Sequence, residues 1–524
     1  MAEQNFSVYT SASLPLIGIT FIFATLVAYA LHYFKTKRHF DKMAGPPALP
    51  LVGNTHQFAV GGADFYEQIM KYSKDYEEHG IIRVWLGESP RVILFHADTV
   101  EELFNSTKHS EKSSDYRFLV PWLGTGLLIS KGEKWHTRRK MLTPAFHFKI
   151  LNNFLNVMCE QADIMVNKMA KHTGGSAFDV FPYITHCALD IICETAMGQT
   201  VNAQQDSDSD YVKAVYRLCY LVSERQKQPW FWPSLIYDIF GDGKETKECL
   251  RVLHNFTNKV IAERKEQFQK SLIQDRKKTL EQYSEGGEEH LSIGGRKKLA
   301  LLDMLLHSSE TETPLTDEDI REEVDTFMFE GHDTTAAGVT WASYFIGAYP
   351  EVQQKLHEEM DSIFGDSDRR ATPQDIAQMK YLECVIKEAL RIYPSVPFHA
   401  RTFTEDCEIK GFKIPKGTEG IILVTALHRD AKYFPDPEKF DPDRFLTENT
   451  RKRHPYSYTP FSAGMRNCIG QKFAIMEEKV MLSAMLRKFN MTSTQKREEL
   501  RPVSEIILRP EHGIWIKLTP RNEE

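Results

Sequence analysis

Apolar residues crowd together at the amino-terminal end, then settle into helical and strand periods along the rest of the chain. From Gln4 to Phe34 there is no Asp, Glu, Lys or Arg, and Leu14 to Phe34 is mostly apolar. A helix of about 20 such residues crosses a bilayer. Lys35, Lys37, Arg38 and Lys42 follow. The positive-inside rule keeps that flank in the cytosol and leaves residues 1–13 lumenal. A cleaved signal peptide is the rival reading, with Ala28-Tyr29-Ala30 resembling a cleavage site. The charges come after the apolar run, however, and no basic segment precedes it. The pattern therefore predicts a transmembrane anchor over 14–34, a basic and proline-rich linker over 35–50, and a folded body over 51–524. In the linker, Gly45-Pro46-Pro47-Ala48-Leu49-Pro50 favours stiff, extended backbone.

The body reads as helix-rich with minor strands. Ile81–Leu86 and Arg91–Phe95, parted by Gly87-Glu88-Ser89-Pro90, predict a hairpin. Glu408–Ile414 and Gly420–Val424 predict a second pair around Pro415-Lys416-Gly417. The charged, glycine-containing stretch Gln274–Lys298 predicts an exposed loop. Thr316–Tyr349 predicts one long helix, opened by the capping-box pattern Thr316-x-x-Asp319 and stopped by Pro350. Pro229-Trp230-Phe231-Trp232-Pro233, running into Leu235-Ile236-Tyr237, suits a segment dipping into lipid headgroups and suits core packing equally. No internal repeat or second boundary is visible, so the body is one large, mainly α domain with small β-sheets.

Composition narrows the class. Apolar content of 42% and charged content of 26% are ordinary for a globular chain. The net charge of −7 comes without long runs of one sign, which argues against nucleic-acid binding. Eight cysteines are scattered with no CxxC pair, the usage of reduced thiols facing the cytosol. Cys187 and Cys193, among apolar neighbours, read as buried packing residues.

One cysteine differs. In Phe461-Ser-Ala-Gly464-Met-Arg466-Asn-Cys468-Ile-Gly470, glycines flank Cys468 and a helical pattern starts directly after it. Glycine allows tight turning and close approach to a flat ligand. The positive end of the following helix favours thiolate. Phe461 is placed to cover the sulfur and Arg466 to meet an acidic group. The segment resembles the haem-binding signature FxxGxRxCxG of the cytochromes P450, with every specified position filled. The resemblance implies the cytochrome P450 fold, haem b (iron protoporphyrin IX) as cofactor, and Cys468 as axial ligand of its iron. In that family the thiolate pushes electron density toward O–O cleavage.

Further motifs extend the resemblance. Glu388 and Arg391 are neighbours at helical i,i+3 spacing. With Arg444 of Asp441-Pro-Asp-Arg-Phe445 they match the triad that locks the family's haem scaffold, although Asp443 stands where Glu is common. Trp135 and Arg139 match the WxxxR pair that meets the haem propionates, with Arg401 and Arg466 adding to it; a guanidinium suits a carboxylate. Lys131, Lys134, Arg138, Lys140 and Lys472 are expected to make the thiolate-side face basic and steer an acidic electron donor.

Inside the long helix, Phe329-Glu330-Gly331-His332-Asp333-Thr334-Thr335 breaks an apolar run with polar residues and glycine, a violation that tends to mark function. Gly331 is expected to make room for a small ligand, and Thr334 to divert a backbone hydrogen bond. The segment resembles the family's oxygen-binding motif, which implies that Asp333 and Thr334 pass protons during oxygen activation. Glu330 departs from the usual Ala or Gly. That departure looks like the fatty-acid ω-hydroxylase group, family 4, several of whose members join this Glu to haem by an ester.

Lys140-Met-Leu-Thr-Pro, Asp190-Ile-Ile-Cys-Glu-Thr-Ala-Met-Gly and Pro460-Phe-Ser-Ala-Gly are most similar to subfamily V of that family. The resemblance implies terminal hydroxylation of medium- and long-chain fatty acids, polyunsaturated ones included, using O2. Electrons from NADPH would come through NADPH-cytochrome P450 reductase, with cytochrome b5 as a further partner. With the anchor, it implies a single-pass protein of the endoplasmic reticulum membrane, in contact with lipid, its catalytic domain cytosolic. Phe118, Leu119, Trp122, Phe329, Val396 and Phe398 are the expected walls that restrict approach to the terminal carbon. The alternatives are a monooxygenase of another lipid such as a sterol or eicosanoid, a reductase-independent isomerase or dehydratase, and a non-catalytic haem-binding protein.

Overall fold

The computed structural model describes residues 20–521 apart from 22, 25, 26, 32, 51, 206–208, 285–299 and 309–314. Residues 1–19, which hold the predicted lumenal segment and the first six positions of the predicted anchor, lie outside the described residues, as do 22, 25, 26 and 32. Those described between Thr20 and Phe40 are helical. Phe21, Phe23, Leu31 and Phe34 are exposed there, while Tyr33 and Phe40 are buried against Trp85. Among the described residues no helix is long and apolar enough to cross a membrane.

The body is mainly helical. The helices that shape the interior are α1 (Gly62–Asp75), α2 (Gly132–Leu142), α3 (Phe148–Met169), α4 (Phe181–Thr195), α5 (Asp210–Lys227), α6 (Gly243–Ser284), α7 (Asp317–Ala348), α8 (Lys380–Ile392) and α9 (Gln471–Lys488). The axis of the fold is α7, buried on every face from Ile320 to Gly347 apart from a few positions near Glu330. It starts as predicted: Thr316 Oγ1 accepts from the Asp319 N–H at 3.1 Å and Asp319 Oδ2 accepts from the Thr316 N–H at 3.1 Å. Three acidic residues in its first turn complement the helix dipole. Helices α4, α6, α8 and α9 pack around it, which is why its second half, 336–348, is mostly apolar all round rather than on one stripe.

The main sheet has four strands in the order β1 (Ile81–Leu86), β2 (Ser89–Leu94), β6 (Glu419–Leu423), β3 (Phe398–Thr402). Only the β2–β6 contact is parallel. The first hairpin turns on Gly87-Glu88, tighter than expected, and Pro90 sits within β2 ahead of the register shared with β6. The second predicted pair is corrected. Cys407–Ile409 (β4) pairs instead with Phe412–Ile414 (β5), and Gly420–Leu423 joins the main sheet. The cause is Lys410-Gly411, both at positive φ, which closes a two-residue turn whose twist suits a hairpin.

A second correction concerns Gln274–Lys298. Helix α6 runs on to Ser284, because nothing before Gly286 breaks it; the remainder of that stretch falls mostly among residues not described. Near the carboxyl end, β7 (Pro502–Ser504) and β8 (Leu508–Pro510) form a hairpin, β7 lying on α1. Trp515–Pro520 pairs with Phe489–Ser493.

Candidate active site

A cavity of about 390 Å³ opens between the loop that carries Cys468 and a wall formed by α1, α5 and the main sheet. The Cys468 N–H donates to the Phe461 carbonyl at 2.9 Å, which folds the loop back before α9 begins. Gly464 takes a positive φ, and a Cβ there would stand 2.3 Å from the Phe104 carbonyl oxygen, so that position admits glycine alone. Gly470 has ordinary backbone; its missing side chain leaves space beside Sγ, since a Cβ would lie 3.9 Å away. Cys468 is open to the cavity, whereas Cys187, Cys193 and most other cysteines are buried, and all eight are free thiols. Burial pushes the Cys468 thiol up to about 11, against the pull of the Gly470 N–H.

The expected cofactor residues are placed as follows. Trp135, Arg139, Phe461, Arg466, Glu330 and Thr334 line the cavity with Cys468. Arg466 is spent on backbone carbonyls of Ser110, Leu127 and Ser130, with its guanidinium 4.2 Å from the Trp135 ring centre. Arg139 donates to the Asn467 carbonyl at 2.9 Å and to its side chain at 2.8 Å, bracing the cysteine loop. Arg401 is buried; one terminal nitrogen donates to the Ala463 carbonyl and the other, Nη1, has no partner. An unmet buried donor costs about 1–3 kcal/mol; Arg401, expected beside the cofactor, is not itself on the cavity wall, which its neighbours His399 and Ala400 line.

Lys112, bridged to Arg401 through the backbone, also lines the cavity and faces Glu330. Burial pushes the Glu330 carboxyl up and the Lys112 ammonium down, so both lean toward their uncharged forms. Lys112 carries no local sequence signal; only its backbone bridge to Arg401 brings it here.

The polar segment of α7 divides. Thr334 Oγ1 donates back to the Glu330 carbonyl at 2.7 Å, and the Thr334 carbonyl accepts from Ser395 Oγ at 2.7 Å. Gly331 lines the cavity, and a Cβ there would also stand 2.6 Å from the Ile192 side chain of α4. Asp333 is not on the cavity wall. It is fully buried and ion-paired to Arg509 of β8, which also meets Glu505 at 3.2 Å. Of the expected pocket residues, Leu119, Val396 and Phe398 line the cavity. Phe118, Trp122 and Phe329 do not: Trp122 and Phe329 pack on each other at 4.4 Å behind the wall, and Phe118 lies against Trp232.

Behind α8, Glu388 accepts from Arg391 at 2.7 and 2.8 Å with both side chains fully buried, and Arg444 Nε stands 3.5 Å from the same carboxylate. The Asp441 N–H adds a bond at 2.9 Å. The thiolate-side face is less basic than expected, since Lys131, Lys134 and Arg138 are paired with Glu111, Glu322 and Asp319. The acidic first turns of α7 take up the charges of Lys134 and Arg138.

A soft thiol, a largely apolar chamber and the cationic side chains Lys112 and Arg139 on its wall suit a flat apolar cofactor with carboxylates and an iron that takes thiolate. The cytochrome P450 family model matches residues 43–518. The chain belongs to the cytochrome P450 family. It is 50% identical to Cytochrome P450 4V2 of Mus musculus, covering 100% of this chain and 98% of that one. It is 49% identical to Cytochrome P450 4V2 of Homo sapiens over 98% of this chain and 96% of the relative. Cytochrome P450 4c3 of Drosophila melanogaster is 45% identical over 99% and 96%. The resemblance to family 4, subfamily V, therefore stands, and the family implies a monooxygenase that takes haem, dioxygen, a substrate and redox partners. The haem that the family implies would, when bound here, supply an iron for dioxygen chemistry. Cys468 would hold that iron, and Lys112 on the same wall would meet a carboxylate.

Proposed function

We propose that the protein hydroxylates medium- and long-chain fatty acids, polyunsaturated ones included, mainly at the terminal carbon, with electrons from NADPH delivered by a reductase and assisted by cytochrome b5. The observation that carries this is Glu330, a carboxyl that burial pushes up to about 7 on the wall of a largely apolar cavity that also receives Cys468. A buried carboxyl without a settled hydrogen-bond partner is costly unless it does something. An ester from Glu330 to a haem methyl would remove that cost and fix the cofactor against sliding. A rigid cofactor beneath Leu119, Val396 and Phe398 would admit a chain end and exclude its neighbouring carbon, which sterics must do because the terminal C–H is the stronger bond.

Thr334 is the hydroxyl that reaches the cavity for proton transfer, and Asp333 relays to it from behind once its carboxylate has left Arg509 and taken up a proton from water. The apolar amino-terminal run would anchor the protein in the endoplasmic reticulum membrane with the body cytosolic. Trp230, Leu235, Ile239 and Phe240 are exposed, which supports the reading that this segment dips into lipid.

The test is reconstitution of the full chain with reductase and NADPH, a panel of fatty acids, and identification of products by mass spectrometry. Mainly terminal hydroxy acids support the proposal. A normal thiolate-type carbon monoxide spectrum without fatty-acid product overturns the substrate class.

A further inference from the structure

Five cationic side chains line the cavity: Arg91, Lys112, Arg139, Lys227 and Arg466. Lys112 and Arg139 are felt electrostatically at Cys468, and Arg466 is two residues from it, so these three belong to the cofactor end. The other two stand on the wall of α5 and the main sheet. Arg91 is saturated. Its Nε and Nη2 grip the Asp115 carboxylate at 3.1 and 2.9 Å, and its Nη1 donates to Ser89 Oγ at 2.6 Å and the Pro90 carbonyl.

Lys227 is different. It ends α5, is 8% exposed, and among the described residues has one hydrogen-bond partner, Glu224 a turn earlier on the same helix. The Phe65 ring covers its ammonium at 4.9 Å. An ammonium has three donors, so two remain to be met in a buried place. Ser223 and Gln226 line the cavity on either side, whereas Glu224 does not. Glu505 shares this wall, but burial pushes it up to about 7, so at neutral pH it is only a partial counter-charge.

We propose that Lys227, flanked by Ser223 and Gln226, is the site that binds the substrate's carboxylate and so presents the opposite end of the chain to Cys468. This rests on the fatty-acid reading above. A charged head fixed at one end of an apolar chamber turns chain length into the variable that decides which carbon reaches the reacting centre. Glu224 then acts as an internal competitor for the ammonium, holding one of its donors and yielding part of it when an acid arrives.

The test is spectral titration of the full-length holoenzyme with a fatty acid and with the primary amide of the same chain, which keeps shape and removes charge. The wild type is expected to bind the acid more tightly. Lys227→Met is expected to weaken the acid about tenfold or more and the amide less than about twofold, with Lys227→Arg recovering most of the loss. Glu224→Gln is expected to tighten the acid, a direction that damage to the fold would not give. A thiolate-type carbon monoxide spectrum certifies each variant as folded. Equal weakening of acid and amide, no effect of Lys227→Met, or weaker acid binding by Glu224→Gln overturns the anchor while leaving the substrate class intact. Failure of the wild type to bind any acid overturns both.

Discussion

Asp333 on α7 and Arg509 on β8, distant in sequence, meet as a fully buried ion pair: Arg509 Nε donates to Asp333 Oδ1 at 3.2 Å while Nη2 takes the other oxygen. The acid of the oxygen-binding motif is thereby held behind the cavity wall rather than in it. Breaking such a pair from one side strands a buried charge, whereas removing both partners need not.

Arg509→Met is therefore expected to destabilise the protein by about 3–5 kcal/mol. Asp333→Asn added to it should restore a substantial part. Thermal unfolding of the single and double variants checks this, and a double variant no better than the single one contradicts the pairing.

Glu330→Ala should raise the share of penultimate-carbon hydroxylation and let haem be extracted by acidified solvent from protein that otherwise retains it. Product ratios by mass spectrometry and extraction followed by absorbance read the two effects separately. An unchanged ratio removes Glu330 from the account of terminal selectivity.

Glu388 and Arg391 are fully buried and satisfied by each other, with Arg444 and the Asp441 N–H completing the set. Arg391→Leu leaves Glu388 without its main partner and should cost about 3–5 kcal/mol. The expected outcome is a chain that fails to retain haem, measured as the ratio of haem to protein after purification. Full haem content with normal unfolding would contradict a scaffold role.

Glu478 on α9 lies against Gly338 of α7, and burial pushes its carboxyl from 4.5 up to about 8. The folded state holds a proton that the unfolded chain gives up, so this group's stability is complete below about pH 4.5 and is lost as pH rises toward 8. Each unit of separation is worth about 1.4 kcal/mol. Glu478→Gln should leave the melting temperature almost unchanged at pH 5 and raise it at pH 8. Parallel melting curves for variant and wild type across that range would contradict the assignment.

The parts legible in the sequence were those whose signals are local. The cysteine loop, the Glu388–Arg391 spacing and the Thr316 capping box each lie within one short segment, and the long apolar run of α7 announces its burial. Illegible were contacts set by packing between distant segments. Lys227 and Arg509 are unremarkable charges until α5 and β8 bring them to the cavity wall and to Asp333. Phe118, Trp122 and Phe329 have the composition of a pocket, but which way an aromatic ring faces is decided by its neighbours. The Lys410-Gly411 turn was hidden because lysine seldom adopts a positive φ. The charged end of α6 was hidden because polarity alone does not break a helix.

The carboxyl-terminal strands carry a consequence for biosynthesis. Trp341 in α7 donates its indole N–H to the Leu508 carbonyl, the Leu508 N–H bonds to the Ser395 carbonyl, and Trp515–Pro520 completes the sheet begun by Phe489–Ser493. Helix α7 emerges from the ribosome long before any of these partners exist. Its buried acid and indole must wait for them, so a transcript cut short ahead of Arg509 yields a product that misses its last fastenings and is fit for degradation rather than for partial service.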